Sequence, residues 1–361
     1  MLRGMLSCQL VILGLSPRRP STDRPTVMIT LGIVLALASG ACNGVFTTPM
    51  KLIPRWKWEN IWFVFIVTSC VAMPLTIVSA TVPDWPRLLS ASPPGAVRAA
   101  GAFGFAWGFG AILFGLSVDR LGVSLANTLV LAVSSALGSL VPLMLQGELA
   151  FERRQIVLFL GVGAFLLGLG LCGSAGRMRD RQAAVGATDV VTAFAGYAFA
   201  VGAGVMSAIF NIGFSLALPI TATIESFGYQ PFLGTNCIWL LMLGAGSIPN
   251  MAYCAYLMRK HASGHLLLGP RPDKTWGGSI LMGLLWGGSI FLYGAAAPML
   301  GDIGPSIGWP LSLATALLVA NAAGFLLGEW RQAERRAIQR MRAGISVLIA
   351  AVVLCAASSG L

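Results

Sequence analysis

The chain has 361 residues, 56% of them hydrophobic and only 10% charged, with a mean hydropathy of +0.80 and a formal net charge of +11. Soluble domains carry roughly 25% charged residues. So few charges cannot cover a solvated surface, which excludes a water-soluble enzyme of one or two domains. A positive balance on a soluble chain would point to nucleic acid; in a membrane chain it records which loops stay in the cytoplasm, and no nucleic-acid partner is expected.

A helix needs about 20 apolar residues to cross the hydrocarbon core of a bilayer. Ten segments qualify, in chain order 28–48, 60–82, 99–118, 122–145, 156–175, 191–218, 233–257, 276–297, 305–327 and 344–360, each separated from the next by charge, Pro or Gly. The runs are continuously apolar, without the alternation that a lipid-facing strand requires. The expected fold is therefore all-α, integral to the lipid bilayer, with ten transmembrane helices. Residues 1–27 hold a short apolar patch followed by Pro17-Arg18-Arg19-Pro20 and are too broken to span. They fit a signal-like segment or, the reading preferred here, a stretch ahead of a native start at Met28.

The cations sort by loop. Lys51, Arg55 and Lys57 fall in the first loop, Arg120 in the third, Arg177, Arg179 and Arg181 in the fifth. Arg259, Lys260, Arg271 and Lys274 follow in the seventh, and Arg331, Arg335, Arg336, Arg340 and Arg342 in the ninth. Odd loops thus hold sixteen, against four in the even loops (Arg87, Arg98, Arg153, Arg154). Cytoplasmic loops carry the excess of Lys and Arg, so the odd loops are expected inside the cell and both termini outside, in a multi-pass protein of a bacterial inner membrane.

A repeat is written into spans three and eight. Gly104-x2-Trp107-Gly108, Phe114-Gly115 and Leu121-Gly122 return as Gly283-x2-Trp286-Gly287, Tyr293-Gly294 and Leu300-Gly301, every position offset by 179 residues. The repeat unit is then five helices: 28–175 and 191–361, joined by a cytoplasmic linker, 176–190. An odd number of spans inverts one half relative to the other, an architecture of secondary transporters whose site lies between the halves. The glycines would let helices pack closely. Trp107 and Trp286 lie inside spans rather than at the interfacial belt, so cavity lining is favoured for them over plain core; for Phe114 and Tyr293 the two readings are level.

The run Pro49-Met-Lys51-Leu-Ile-Pro-Arg55-Trp56-Lys57-Trp58-Glu59-Asn-Ile-Trp62 resembles the L-rhamnose–proton symporter family of the drug/metabolite transporter superfamily, where a Pro-x-Lys run leads to Trp-x-Trp-Glu-x2-Trp. The likeness continues in Phe105-Ala-Trp107-Gly108, Leu121-Gly122-Val-Ser124, Trp286-Gly287 to Tyr293, Gly304-Pro-Ser306-Ile-Gly308-Trp309 and Gly328-Glu329-Trp330. The resemblance implies ten helices in an inverted repeat and uptake of a deoxy-sugar with a coupling cation, H⁺. Two other readings stand beside it: an exporter of small metabolites or drugs in the same superfamily, and an integral-membrane enzyme, for which no cluster of carboxylates or histidines is found.

Polar residues inside spans cost free energy unless partnered or wet. Asn43 in span one and Asn211 in span six are therefore candidate sugar ligands, since an amide both donates and accepts; interhelical bonding is the equal alternative. All thirteen acids fall in or beside predicted loops. Candidates for coupling or gating are Lys51 at the end of span one, Glu59 at the start of span two, Asp119 in the tight turn before span four, Glu225 after span six and Asp302 after span eight. Snorkelling, interfacial anchoring and turn pairing are their simpler roles. His261 and His265 are four apart but separated by a loop-like Ala262-Ser263-Gly264, so no metal site is expected, and without a phosphate-cradling loop no nucleotide or other cofactor. The seven scattered cysteines read as small apolar packers.

Overall fold

The computed structural model describes residues 24–53, 56–121, 123–145, 152–183, 190–269, 273–328 and 330–359; the tail expected at 1–27 lies almost wholly outside them. Among the described residues every regular element is helical. Ten helical stretches are long and apolar enough to cross a membrane: Val27–Met50, Trp58–Thr81, Pro94–Ser117, Ala126–Leu145, Arg153–Arg179, Phe194–Ser226, Pro231–Lys260, Thr275–Met299, Gly304–Leu326 and Arg335–Ser358. They match the ten expected segments and are numbered here as spans one to ten.

Two helices overrun their apolar segments at the end rich in arginine. The helix of span five continues to Ala183, and that of span ten begins at Arg335 rather than near 344. Hydropathy marks only the apolar part of a helix, whereas Arg, Gln, Met and Ala sustain it beyond the bilayer. There Arg179 lies over the Trp330 ring, 5.0 Å from its centroid, and Arg340 reaches the Met178 sulfur at 3.8 Å. Asp119 also differs from expectation: it sits with Arg120 in the last turn of the helix Gly110–Leu121, not in a turn between spans. Nothing in Ser117-Val-Asp-Arg breaks a helix before Gly122.

Several spans are interrupted along their length. Span three breaks at Gly108-Phe109, between the helices Pro94–Trp107 and Gly110–Leu121. Span two widens into a π-turn over Val67–Ala72 just before Pro74, which has no N–H to offer the carbonyl one turn back. Span six is broken at Leu218, ahead of Pro219.

Much of the packing of the spans recurs when each is exchanged for the one five places on. Span one packs on eight and nine, and six on three and four; span two packs on eight, and seven on three. Spans two and seven, four and nine, and five and ten pack on their own counterparts. Along the last pair, Gly161 of span five faces the Cys355 sulfur of span ten, and Gly344 of span ten faces the Cys172 sulfur of span five. Gly344 and Cys355 stand 183 residues after Gly161 and Cys172. The contact is reciprocal, and it makes these two helices antiparallel.

Candidate functional site

A cavity of about 200 Å³ lies at the centre of the bundle, lined from spans one, two, three, four, six, seven, eight and nine. That is below the roughly 300–1,000 Å³ of drug-sized sites and suits one small molecule. Its walls are aromatic, with Phe46, Trp62, Phe65, Trp107, Phe210, Trp286, Tyr293 and Trp309, interleaved with Ser39, Asn43, Ser207, Asn250, Ser289 and Ser312. Trp107 and Trp286, the two tryptophans of the repeat, stack on one another with centroids 5.3 Å apart and planes 8° from parallel. Trp107 packs on Phe210 at 4.7 Å and Trp286 on Phe65 at 5.7 Å. The break in span three follows directly after Trp107, where Gly108 closes on Gly246 and Pro249 of span seven.

The two asparagines separate. Asn43 lines the cavity, and no described residue hydrogen-bonds its amide. Asn211 is fully buried behind the wall: its Nδ2 donates to the carbonyls of Gly138 (2.7 Å) and Pro305 (3.2 Å), and its Oδ1 accepts the Tyr293 hydroxyl. Asn211 therefore positions Tyr293 and has no donor or acceptor turned to the cavity. Phe114, the repeat counterpart of Tyr293, is half-buried away from the lining. Beyond Tyr293 the bundle closes in a dense aromatic layer, in which Trp239 stacks on Phe214 (4.4 Å, 5°) and Tyr293 meets Trp309 edge-on at 5.4 Å. The face carrying the basic odd loops lies at the other end of the cavity.

Toward that face the cavity ends at Trp62 and Asn250, where the indole N–H points at Asn250 Oδ1 at 3.4 Å. One turn further, Glu59 is buried, its side chain 4% exposed. Its Oε1 accepts the Ser263 hydroxyl at 2.7 Å and pairs with His261 Nδ1 at 3.0 Å. The neighbours of Glu59 reinforce this clasp between the start of span two and the turn after span seven. Asn60 Nδ2 donates to the Ser263 carbonyl (3.0 Å), Lys57 Nζ to the His261 carbonyl (3.2 Å) and Trp56 Nε1 to the Leu266 carbonyl (3.1 Å). Between His261 and Ser263, Ala262 is held at φ +49°, the only non-glycine at positive φ among the described residues. An L-residue in that region is strained by about 1–2 kcal/mol.

Glu59 is the one buried acid among the described side chains. Glu225 and Asp302 are exposed at the far face, and the side chains of Asp119 and Lys51 lie outside the described ones. A shallow depression of about 160 Å³ on that far face holds Asp84, Arg87, Phe227 and Tyr229, the Tyr229 hydroxyl 3.4 Å from Asp84 Oδ2. His261 and His265 bond to Glu59 and to the Ala262 carbonyl (2.8 Å) respectively, not to a common point.

Phe46, Trp62, Phe65, Phe210, Asn250 and Trp309 line the cavity in addition to the residues expected from the sequence. Trp62 and Trp309 sit in the very runs that carry the family resemblance, which was the available signal. Asn250 and Phe210 have no marker in the sequence and become visible only once span seven is seen against spans two and three.

A helical bundle of ten membrane-spanning segments around a small aromatic and polar cavity defines a polytopic membrane protein of the carrier type. The chain belongs to the family described as L-rhamnose-proton symport protein, whose model matches residues 26–359. It is similar to the L-rhamnose-proton symporter of Citrobacter koseri, 25% identical over 336 residues, covering 90% of this chain and 96% of the relative. Those of Shigella sonnei and Klebsiella pneumoniae are each 26% identical with the same coverage. A solved crystal structure overlays with a TM-score of 0.51 over 94% of this chain and 96% of its own, at 15% identity, a likeness of fold.

Proposed function

We propose that this chain is a secondary carrier of the bacterial inner membrane that takes up L-rhamnose, or a closely related sugar, together with a proton. Family membership and the names of the relatives support the substrate class and the coupling ion. The observation that carries the reading is the cavity. Stacked Trp107 and Trp286 offer an aromatic surface for the C–H faces of a sugar ring, while Asn43, Asn250 and the serines offer donors and acceptors for its hydroxyls. Asn211 enters as the residue that fixes Tyr293, rather than as a ligand.

The two halves, 28–175 and 191–361, act as inverted repeats that rock about this cavity to open it to each side in turn. The exchange-symmetric packing, the antiparallel reciprocal contact of spans five and ten, and the meeting of Trp107 with its counterpart support that reading. The basic face is cytoplasmic and both termini are outside. The test is uptake of labelled L-rhamnose into proteoliposomes with and without an inward pH gradient. Accumulation that needs the gradient is expected; no uptake of any deoxy-sugar by folded protein would defeat the proposal. Trp107→Ala and Trp286→Ala should each reduce uptake at unchanged yield of folded protein, and an equal loss of both would return the pair to the core.

A further inference from the structure

We propose that Glu59 carries the coupling proton, and that its clasp on His261 and Ser263 is the gate that separates the cavity from the basic face. The inference rests on the reading of the chain as a proton-coupled carrier and assigns the coupling to a residue. A carboxylate removed from water persists only with partners, and Glu59 has two directed ones, both on the turn after span seven. The bonds therefore join two elements, so that changing the charge of one group changes whether span two is tied to span seven.

The position suits the task. Glu59 and Trp62 are three residues apart on the first turns of span two and share a face. Trp62 in turn reaches Asn250 on the cavity wall, stacks on Trp58 at 5.2 Å and packs tilted against Phe65 at 4.6 Å. The clasp thus lies one turn beneath the Trp62–Asn250 floor of the cavity. When the cavity opens to the far face, a proton from that side reaches the Glu59 carboxylate and forms the neutral acid. No electrons or other bonds change. The acid no longer attracts His261 and gives up one acceptor lone pair, the strained Ala262 turn relaxes, and spans two and seven part at the basic face. There the proton leaves to the more alkaline side, the carboxylate re-forms its bonds, and the gate shuts. An unprotonated carrier stays closed to the basic face, which couples sugar entry to proton entry.

Other titratable and charged groups surround Glu59. From span seven and its turn come His261, the buried Cys254 thiol and His265, whose Nδ1 is turned to the Ala262 carbonyl. Arg259 and Lys260 are exposed at the end of span seven, and Lys57 is engaged with a carbonyl. The side chains of Lys51, Arg55, Arg271, Asp273 and Lys274 lie outside the described ones.

The experiment uses the full chain in proteoliposomes with labelled L-rhamnose. One unit of pH gradient supports about tenfold accumulation by one-to-one proton coupling. Glu59→Gln should abolish that accumulation while retaining rhamnose counterflow, the exchange across the membrane without a gradient, and should remove the pH dependence of counterflow. Glu59→Asp should restore part of the accumulation. His261→Gln, which keeps a hydrogen-bonding side chain but no titrating group, should retain accumulation and shift the pH profile. A readout that needs no sugar is labelling of Cys254, fully buried beside the clasp, by a maleimide at one fixed pH. It should rise several-fold in Glu59→Gln over the parent protein. Gradient-driven accumulation by Glu59→Gln, loss of counterflow together with accumulation in folded Glu59→Gln, or unchanged Cys254 labelling would each overturn the assignment. Absence of rhamnose transport by the parent chain would instead defeat the proposed substrate and leave the Cys254 result to judge the gate.

Discussion

Asn43 and Asn211 lie in spans one and six, yet their amides face different fates. Asn211 satisfies two carbonyls and the Tyr293 hydroxyl. Asn211→Ala deprives the Gly138 carbonyl of this donor and leaves the Tyr293 hydroxyl only its longer bond to the Pro305 carbonyl (3.3 Å), at about 1–3 kcal/mol for a group left unpaired, and should lower the thermal midpoint of the purified protein. Tyr293→Phe should do so less, since it orphans only the Asn211 oxygen. Asn43→Ala removes no bond to a described residue and should leave thermal stability within about 0.5 kcal/mol while weakening stabilisation by added rhamnose. Scanning fluorimetry with and without sugar reads all three variants. The sequence already marked Trp107 and Trp286, because a repeated Trp-Gly inside two spans has no interfacial explanation. It could not separate Asn43 from Asn211: what distinguishes them is the carbonyls of Gly138 and Pro305, 73 and 94 residues away from Asn211. Glu59 was legible as a candidate but not as a buried one, since its partners lie just over 200 residues further along the chain.

At the scale of elements, the glycines of the repeat are where spans touch most closely. A Cβ on Gly104 would strike the backbone of Met242 in span seven, and one on Gly283 the Thr68 side chain in span two, whereas Gly101 and Gly115 face open space. Gly104→Ala and Gly283→Ala should therefore cost roughly 1–3 kcal/mol through overpacking, seen as a lower thermal midpoint, and Gly101→Ala in the same helix should cost nothing. Equal effects at Gly101 and Gly104 would show that helix propensity, not close approach, governs the site. The ten spans and their glycine faces were readable because hydropathy and spacing are local. The break after Trp107 and the long arginine-rich extensions of spans five and ten were not, because the first is set by span seven pressing on Gly108 and the second by helix formers that hydropathy ignores.

For the whole molecule, placing the basic face in the cytoplasm predicts that a reporter fused after Leu361 is active only if it functions outside the inner membrane; a periplasm-active phosphatase should work there and a cytoplasm-dependent fluorescent protein should not. The reciprocal seam of spans five and ten predicts that the two halves, cut within 184–189 and co-expressed, reassemble and recover uptake that neither half shows alone.

The stack of Trp107 on Trp286 has a consequence for handedness. Two like indole rings stacked nearly parallel present much the same surface to a guest turned end over end, so the stack by itself cannot tell one end of a sugar from the other. A single sugar enantiomer differs from end to end. The choice of orientation, and with it the discrimination of one stereoisomer from its epimers, falls to polar groups without a matching partner across the cavity, foremost the amide of Asn43, to which no described residue hydrogen-bonds. The aromatic centre holds a ring; the unmatched polar groups around it decide which ring.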